Sequence, residues 1–437
     1  MSGESGSFAN DSHCWDVAVI GAGASGLLAA IRSAERGFRT VLLEKNAKPG
    51  VKILMSGGTR CNITHDTDAA GIMQAFGRQG RFLRDALSAL SPADVVSLFH
   101  AEGVQTKIES TGKIFPQSDR ALDVQQALLA RLHRSQASLR LRESVQSIEQ
   151  HAGGFVIQTT NQSVKAARLI VSTGGQSYPG CGTTGDGYRW LAEMGHTIVT
   201  PRPSLVPITS SAEWVKDLSG ITLPDVTMRV VKREDWESRR DPLERLSFAR
   251  KKPLAERRGS LLLAHFGLTG PVALDVSRAV TSSSSPHLTL LVADLVPGVS
   301  LEQLDEGLRY QCEAHGSRSL AKLLPESLPH RLVDQLLRVV GVPPDLRAAE
   351  LSREDRRRLV VTFKGVDIPV TGTRGFTKAE VTAGGVTLGE VDPKSMQSRI
   401  VPNLFIVGEV LDLDGWIGGY NFQSAFSTAW LAAESLS

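Results

Sequence analysis

The chain has 437 residues, of which 41% are hydrophobic and 22% are charged, a composition typical of a globular protein with two or three domains. No apolar run approaches the about 20 residues that a membrane span requires. Residues 1–14, rich in Ser and Gly, lack the apolar core of a signal peptide and are expected to form a disordered tail. The net charge of +3 is too small to indicate a polyanionic partner, so neither a membrane nor a nucleic-acid partner is predicted.

The four cysteines lie far apart, at positions 14, 61, 181 and 312. Their spacing indicates neither a dithiol redox centre nor a zinc site, so no metal is expected. A reducing cytoplasm is the expected location. The most basic stretch, residues 232–258, is interrupted by acidic residues, which favours a solvated surface of mixed charge.

The first predicted strand runs into a glycine-rich turn. Residues 17–26 have the sequence Val-Ala-Val-Ile-Gly-Ala-Gly-Ala-Ser-Gly, followed by a predicted helix. Gly21 suits a tight turn, Gly23 allows the backbone to approach a pyrophosphate, and Gly26 allows close helix packing. The N-terminus of the helix, beginning at Ala24, would present N–H groups and partial positive charge to the phosphates.

A second predicted strand, residues 40–44, follows this helix and ends on Glu44. At this distance after the glycines, a carboxylate commonly meets ribose hydroxyl groups of NAD or FAD rather than a phosphorylated ribose. The two motifs together predict a bound dinucleotide and leave NAD and FAD open.

Further along the chain, residues 52–62 form a glycine-rich segment suited to wrapping around a ligand. Helices are predicted within residues 70–102. Residues 168–175, Arg-Leu-Ile-Val-Ser-Thr-Gly-Gly, form an apolar strand that ends in two glycines, which suits a second cofactor-facing turn.

The pattern changes after residue 200. Short strands without alternating helices predict an inserted β-barrel-like domain over 201–300 and 359–364, and apolar residues at helical spacing predict a helical subdomain over 301–358. The dinucleotide-binding domain, which the resemblance described below assigns to FAD, is predicted over 15–200 and 365–437. Its last part contains a strand that stops at Gly408-Glu409, a loop and an Ala-rich terminal helix.

Five segments in this order resemble a known family. They are Gly21–Gly26, Ser56–Asn62, Thr173–Gly175, His265–Pro271 and Val407–Asn421. The resemblance is to the BaiN/RdsA-like flavoproteins, described as NAD(P)/FAD-dependent oxidoreductases and also as aminoacetone oxidase-like. It implies FAD in the dinucleotide site and an α/β fold: a glutathione-reductase-like, Rossmann-type FAD-binding domain with an inserted β-barrel module and a small helical subdomain.

The resemblance also implies which residues bind the cofactor. Glu44 and Lys45 would contact the adenosine end, and Val145 would offer backbone atoms to adenine. Asp412 would hydrogen-bond the ribityl or pyrophosphate region. Asn421 and Phe422 would begin the last helix, beneath the flavin. The complete predicted set is Gly21, Gly23, Ala24, Ser25, Gly26, Glu44, Lys45, Lys52, Ser56, Gly57, Arg60, Cys61, Asn62, Val145, Thr173, Gly174, Gly175, Gly408, Glu409, Asp412, Gly419, Tyr420, Asn421 and Phe422. Thr59 departs from the family pattern, which often has glycine before Arg60.

No catalytic residue is assigned. Cys61 is interpreted as a packed thiol and His265 as a histidine at a domain junction, while Tyr420 would line the flavin pocket or brace its loop. No second Gly-x-Gly-x-x-Gly follows an apolar strand, so a separate NAD(P)H domain is not expected.

The leading hypothesis is an FAD-dependent oxidoreductase acting on a small organic substrate, with NAD(P)H as reductant. One alternative is an amine oxidase that uses dioxygen. An alternative of another class is a flavin-bound protein that modifies or binds RNA.

Overall fold

The computed structural model describes residues 14–325 and 327–437. The chain divides into two compact units: a first unit reaching Pro203 and resuming with Glu380–Ser437, and a second unit formed by Ser204–Ala379. Apart from Cys14, the predicted tail lies outside the described residues. No helix in the described part of the chain is both long and apolar enough to cross a membrane.

The first unit contains a central sheet, two smaller sheets and flanking helices. Its strands are β1 (Trp15–Ile20), β2 (Thr40–Glu44), β3 (Thr64–His65), β4 (Thr106–Ile108), β5 (Lys113–Pro116), β6 (Ser138–Leu141), β7 (Val145–His151), β8 (Gly154–Thr159), β9 (Ser163–Val171), β10 (Ile198–Ser204), and, after the second unit, β17 (Val381–Val386) and β18 (Leu404–Ile406). Its helices are α1 (Ala24–Glu35), α2 (Val51–Met55), α3 (Ala69–Ala75), α4 (Arg84–Ala89), α5 (Pro92–Ala101), α6 (Ala121–Arg134), α7 (Asp186–Glu193) and α15 (Tyr420–Glu434).

The central sheet has the order β6-β2-β1-β9-β8-β7, and β18 also pairs with β9. Strands β6, β2, β1, β9 and β18 run parallel, whereas β7 and β8 form an antiparallel extension. Residues of β1 are buried on both faces, as expected where helices cover a parallel sheet. Helices α1, α6 and α15 contribute to the core on one face.

The second unit is an antiparallel barrel with helices. Its strands are β11 (Ile208–Ser210), β12 (Thr222–Lys232), β13 (Ala255–Ala264), β14 (Gly267–Thr269), β15 (Thr289–Asp294) and β16 (Val366–Thr373). They close in the order β11-β14-β13-β12-β15-β16, with β16 pairing back to β11. The helices are α8 (Glu213–Asp217), α9 (Arg233–Glu237), α10 (Pro242–Lys251), α11 (Pro271–Thr281), α12 (Leu301–Ala314), α13 (His330–Val340) and α14 (Arg353–Gly365). The predicted fold class is confirmed.

Two predicted boundaries are wrong. Residues 365–379 belong to the second unit and not to the FAD-binding domain, because β16 pairs with β11 and β15 and so closes the barrel. Residues 359–364, predicted as part of the barrel, lie in α14.

The sequence of α14 explains the second error. The Ser352 side chain accepts a hydrogen bond from the Asp355 N–H at 3.0 Å and caps the helix, and Glu354 and Asp355 lie in its first turn. Both features favour a helix start. Leu359, Val360 and Phe363 are buried on one side. Capping and packing therefore outweigh the strand preference of a Leu-Val-Val run.

A buried ion pair joins α14 to the end of β15. The Lys364 ammonium lies 2.8 Å from the Asp294 carboxylate and donates to the carbonyl oxygens of Val296 at 2.9 Å and Val299 at 2.5 Å. Both charged side chains are buried, and these three contacts match the three donors of an ammonium group. Removing only the cation would leave a buried carboxylate without its counter-charge.

We expect Lys364→Met to lower the free energy of unfolding of the second unit by about 3–5 kcal/mol, the usual cost of breaking a buried pair. Adding Asp294→Asn, which removes the unpaired charge, should recover part of this loss. Urea unfolding followed by circular dichroism measures both. A single variant as stable as the parent protein, or a double variant no better than the single one, would contradict this account.

Candidate dinucleotide and flavin site

Four parallel strands of the first unit end at the same level. Ile20 of β1 lies opposite Leu43 of β2 and Val171 of β9, and Ile406 of β18 lies opposite Val171. The loops that follow these strands therefore meet at one edge of the sheet, where open α/β folds bind ligands. We call this the carboxyl edge.

The three motif glycines have three different surroundings. Gly21 has a φ of +99°, which favours glycine, and a Cβ there would lie 2.8 Å from the Ser172 carbonyl oxygen. A Cβ on Gly26 would lie only 1.7 Å from the Gly21 carbonyl oxygen, whereas a Cβ on Gly23 would meet nothing within 4 Å. In a pyrophosphate-binding loop, the first glycine allows a tight turn, the second allows the backbone to approach the pyrophosphate, and the third allows close helix packing. Gly21, Gly23 and Gly26 have the surroundings that these three roles require.

Helix α1 begins directly at this loop. Gly23 is its N-cap, and no side chain within the described residues caps Ala24 and the first turn. Gly408, at a φ of +74°, packs so closely that a Cβ there would lie 2.6 Å from the Ser25 hydroxyl oxygen. The turn after β18 thus lies against the start of α1, with backbone N–H groups left for a ligand.

Glu44 lies at the predicted adenosine end and is only 7% exposed. Its carboxylate oxygens accept hydrogen bonds from the N–H groups of Ala22 and Asn46, each at 2.8 Å. Because each carboxylate oxygen has two lone pairs, further acceptor capacity remains for a ribose hydroxyl group.

The neighbours of Glu44 differ in what they contact. Lys45 donates to Thr184 at 2.6 Å and Asp186 at 2.5 Å. The Glu143 N–H donates to the Glu44 carbonyl oxygen at 2.9 Å, so the segment that leads to Val145 runs beside the end of β2. The structure therefore brings Glu44, Lys45 and the approach to Val145 together.

Lys52 and Glu409 form an ion pair of 2.5 Å at the carboxyl edge. Lys52 also donates to the Ser177 hydroxyl at 2.7 Å, and Ser177 donates to Glu409 at 2.8 Å. The Thr382 N–H donates to the same Glu409 oxygen at 2.9 Å. Glu409 therefore fastens the turn after β18 to the loop after β9 and to β17. These partners of Glu409 were not identified from the sequence.

The Gly-Gly turn after β9 is confined by close neighbours. Gly174 has a φ of +70°, and a Cβ on Gly175 would lie 2.3 Å from the Thr382 hydroxyl oxygen. Beside the turn, the buried hydroxyl oxygens of Thr173 and Tyr188 have no hydrogen-bond partner among the described residues. Burial, and after it the negative charges of Glu409 and Asp412, raise the pKa of Tyr188.

The segment 56–62 is held by local contacts. The Ser56 hydroxyl donates to the Ile53 carbonyl oxygen at 2.8 Å. Thr59 has a φ of +71° and Cys61 a φ of +60°, conformations that side chains rarely adopt and that tend to mark ligand-binding segments. Gly57 is likewise at positive φ. Thr59, which departs from the family pattern, therefore occupies a backbone position that favours the family's usual glycine.

Arg60 contacts protein groups. Its guanidinium lies 2.6 Å from Glu109, 3.5 Å from Asp119 and 4.0 Å from the centroid of the Phe115 ring. Cys61 beside it is fully buried, and burial raises the pKa of its thiol to about 12. The thiol is therefore protonated at neutral pH and is a weak nucleophile.

The segment 412–421 and the start of α15 complete the edge. Asp412 accepts a hydrogen bond from the Gly384 N–H at 3.0 Å. Asn421 accepts from the Gly415 N–H at 2.8 Å and donates to the carbonyl oxygens of Gly415 at 3.1 Å and Trp416 at 3.3 Å. Its amide thus braces the loop. Gly419 is the N-cap of α15, and no side chain in the described chain caps this helix.

Asn62 connects the two ends of the chain. With its amide oriented to satisfy both ends, it donates to the carbonyl oxygens of Thr64 at 2.9 Å and Ile114 at 3.2 Å, and accepts from the Gly419 N–H at 3.0 Å. A Cβ on Gly419 would lie 2.4 Å from the Thr64 carbonyl oxygen. The segment 56–62 and the N-terminus of α15 are therefore neighbours.

His65 was not identified from the sequence. Its ring stacks on Tyr420 with centroids 4.5 Å apart, and its Nδ1 lies 2.9 Å from the Gly418 carbonyl oxygen. The sequence feature that could have indicated His65 as a site residue is its position three residues after the 56–62 segment. Phe422, expected beneath the flavin, packs against Phe426, with the two ring centroids 6.0 Å apart. His265 lies exposed between β13 and β14 of the second unit.

The residues at the carboxyl edge fit a dinucleotide such as FAD. A Cβ on Gly23 would meet no atom within 4 Å, and the N-termini of α1 and α15 have no side-chain cap among the described residues. The buried hydroxyl groups of Thr173 and Tyr188 have no hydrogen-bond partner in the same part of the chain. Helix N-termini favour the phosphates, and a positive helix end favours a reduced flavin, which carries negative charge.

Residues 15–435 match the model of the family described as HI0933-like protein Rossmann domain. The chain belongs to this family. Like the resemblance found in its sequence, this membership identifies an FAD-dependent oxidoreductase, and the HI0933-like domain covers both units.

Curated relatives resemble the HI0933-like chain over almost their whole length. It is 32% identical over 425 residues to the ribosomal RNA dihydrouridine synthase of Escherichia coli, covering 97% of this chain and 98% of the relative. The protein of that name from Haemophilus influenzae is 31% identical, with 96% and 98% covered. The 3-dehydro-bile acid delta(4,6)-reductase of Clostridium scindens is 28% identical, also with 96% and 98% covered.

We expect Gly23→Ala to weaken FAD binding while leaving the apoprotein as stable as the parent, because the added methyl group occupies only the open space beside α1. Gly26→Ala should destabilise the apoprotein itself, since its Cβ collides with the Gly21 carbonyl. Thermal unfolding of the apoprotein and fluorescence titration with FAD separate the two effects. Unchanged FAD affinity in Gly23→Ala would refute the placement of the phosphates.

Proposed function

We propose that this protein is an FAD-dependent reductase of a carbon–carbon double bond conjugated to a carbonyl group, with a uridine of ribosomal RNA as substrate and NAD(P)H as reductant. The observation that carries the proposal is similarity to the ribosomal RNA dihydrouridine synthases over nearly the full length of each chain. This similarity extends through both units and is not limited to the dinucleotide motif.

The names of the three relatives describe closely related chemistry. Formation of dihydrouridine saturates the carbon–carbon double bond of uracil, which is conjugated to a ring carbonyl. A delta(4,6)-reductase of a 3-dehydro bile acid acts on double bonds conjugated to a ketone. In each case one carbon of the double bond receives a hydride and the other receives a proton. A bound FAD supplies the hydride.

Residues of this chain bind the cofactor and supply the proton. The N-termini of α1 and α15 direct N–H groups and positive helix ends at negative groups, an effect worth about 0.3–2 kcal/mol each. Glu44 binds ribose hydroxyl groups, and the Lys52–Glu409 pair fixes the turns that surround the cofactor.

We assign the proton to Tyr178, which follows the Gly-Gly turn after β9. Its backbone is held at a φ of +52°, and its carbonyl oxygen accepts hydrogen bonds from Cys181 N–H at 2.8 Å and Thr183 hydroxyl at 3.1 Å. Its hydroxyl has no hydrogen-bond partner in the described part of the chain. A tyrosine phenol is protonated at neutral pH, and burial, followed by the negative charge of Glu380, raises the pKa of Tyr178 further. The phenol therefore carries a proton that it can donate to substrate carbon.

A small conjugated ketone is the second candidate substrate. The 28% identity to the bile acid reductase favours it, and it matches the small organic substrate expected from the sequence. Both candidates need the same hydride and proton, so they differ in the substrate and not in the kind of reaction.

The holoprotein, mixed anaerobically with NADH or NADPH, should lose its flavin absorbance, and subsequent addition of protein-free ribosomal RNA should restore it. Nucleoside mass spectrometry should then detect dihydrouridine. Reoxidation by a 3-keto-4-ene steroid but not by RNA would favour the small-ketone substrate. Peroxide released from an amine in air, with no bleaching by either nicotinamide, would instead identify the oxidase.

Tyr178→Phe should leave flavin reduction by NAD(P)H unchanged and slow flavin reoxidation by the substrate about 10²–10⁴-fold, the usual contribution of a general acid. Stopped-flow absorbance measures the two half-reactions separately. Tyr310→Phe, at an exposed tyrosine of α12, serves as the matched control. Equal reoxidation rates in the Tyr178 variant and the control would exclude Tyr178 as the proton donor.

A further inference from the structure

A 3-10 helix, Gly77–Leu83, connects α3 to α4 in the first unit. A 3-10 helix has three residues per turn, so every third residue lies on the same face. Gly80 and Leu83 form the buried face, whereas Arg78, Arg81 and the following Arg84 are all exposed. We call these three side chains the arginine ridge.

Most of the positive charge of the ridge is not paired with acidic side chains of the described residues. Arg78 and Arg81 make no ion pair within residues 14–325 and 327–437. Arg84 lies 3.6 Å from Asp85, with its own side chain 71% exposed. With a rise of about 2 Å per residue, successive ridge positions are about 6 Å apart along the helix.

The helix that carries the ridge is fixed in place. A Cβ on Gly80 would lie 1.9 Å from the Met73 carbonyl oxygen, so the helix packs directly on the end of α3. The Gln79 side chain donates to the Asp412 carbonyl oxygen at 2.8 Å. The same short helix therefore exposes Arg78 and Arg81 on one face, next to Arg84 at the start of α4, and holds the loop of the candidate flavin site on another.

We propose that the arginine ridge binds the phosphate backbone of the RNA substrate, an inference that rests on the proposed function. Guanidinium groups suit phosphate because they are planar, permanently charged and can donate two parallel hydrogen bonds. A regular row of exposed arginines matches the regular row of phosphates along a strand. Such contacts position the backbone and carry no sequence information, so selection of the uridine belongs to other groups.

A second basic cluster supplies a matched control. Arg250, Lys251 and Lys252 are exposed at the end of α10 in the second unit, within the mixed-charge stretch 232–258. Replacing these three residues with Gln removes the same formal charge as replacing the ridge. Comparing the two triple variants separates a local contact from an effect of net charge.

The experiment measures binding of a fluorescent oligouridylate and of protein-free ribosomal RNA to the holoprotein over a range of salt concentrations. Four forms are compared: the parent protein, the ridge variant Arg78→Gln/Arg81→Gln/Arg84→Gln, the control variant Arg250→Gln/Lys251→Gln/Lys252→Gln, and Arg78→Lys/Arg81→Lys/Arg84→Lys. Flavin absorbance and NAD(P)H-dependent bleaching report whether each form is folded and loaded.

The ridge variant should bind RNA more weakly, and the slope of log affinity against log salt should fall by about 2, at about 0.7 for each lost phosphate contact on a single strand. The control variant should bind as the parent does, and the lysine variant should keep most of the slope. Flavin content and bleaching should be equal in all four forms.

Equal losses in the ridge and control variants, or none in the ridge variant, would overturn the proposal while dihydrouridine formation by the parent still supported the function. Ridge-dependent RNA binding without dihydrouridine formation would support the ridge and count against uridine reduction. A parent protein that binds neither RNA at low salt would overturn both.

Discussion

The close approach of α1 to the ends of β1 and β9 is the constraint on which the candidate site depends. It exists because Gly26 has no side chain, since a Cβ there would lie 1.7 Å from the Gly21 carbonyl oxygen. Ser172 secures the same place, because its hydroxyl lies 2.8 Å from the Ile20 carbonyl oxygen and 3.0 Å from that of Gly21. Once the helix begins this close to the sheet, its free N–H groups face the carboxyl edge, and Gly408 can pack against Ser25.

Most polar side chains at this edge shape loops. Glu409 accepts from three donors, Asn421 braces its own loop, and Arg60 is shared between two carboxylates and an aromatic ring. The consequence is a candidate site in which side chains determine the path of the backbone, while the N-termini of α1 and α15 have no side-chain cap among the described residues. Such groups need no reorganisation when an anion binds, because the fold already holds them in place.

The sequence predicts the parts of this architecture that follow from local rules. The glycine motif, the strand ending on Glu44 and the inserted barrel have patterns with a direct physical meaning. Contacts between distant segments have no such pattern, so the stacking of His65 on Tyr420 and the network of Glu409 emerge only from the fold. The Leu359–Phe363 run was misassigned because its residues prefer strands while the cap at Ser352 and burial on one side favour a helix. The arginine ridge has no sequence signal of this kind either, since its period of three differs from that of an α-helix and of a strand.

Net charge is a weak guide to a polyanionic partner when charges are distributed unevenly. A sum of +3 over 437 residues includes many cations whose charge is already balanced, such as Arg258, which pairs with Asp225 at 2.7 Å. The stretch 232–258 has more basic residues than the ridge, yet acidic residues lie throughout it, so its field is partly cancelled at short range. Three guanidinium groups repeated on one face produce a stronger local potential than a larger number of interspersed charges, because screening by salt removes contributions beyond about 8–10 Å. For this protein the arrangement of exposed arginines therefore bears more directly on the proposed RNA binding than the total charge does.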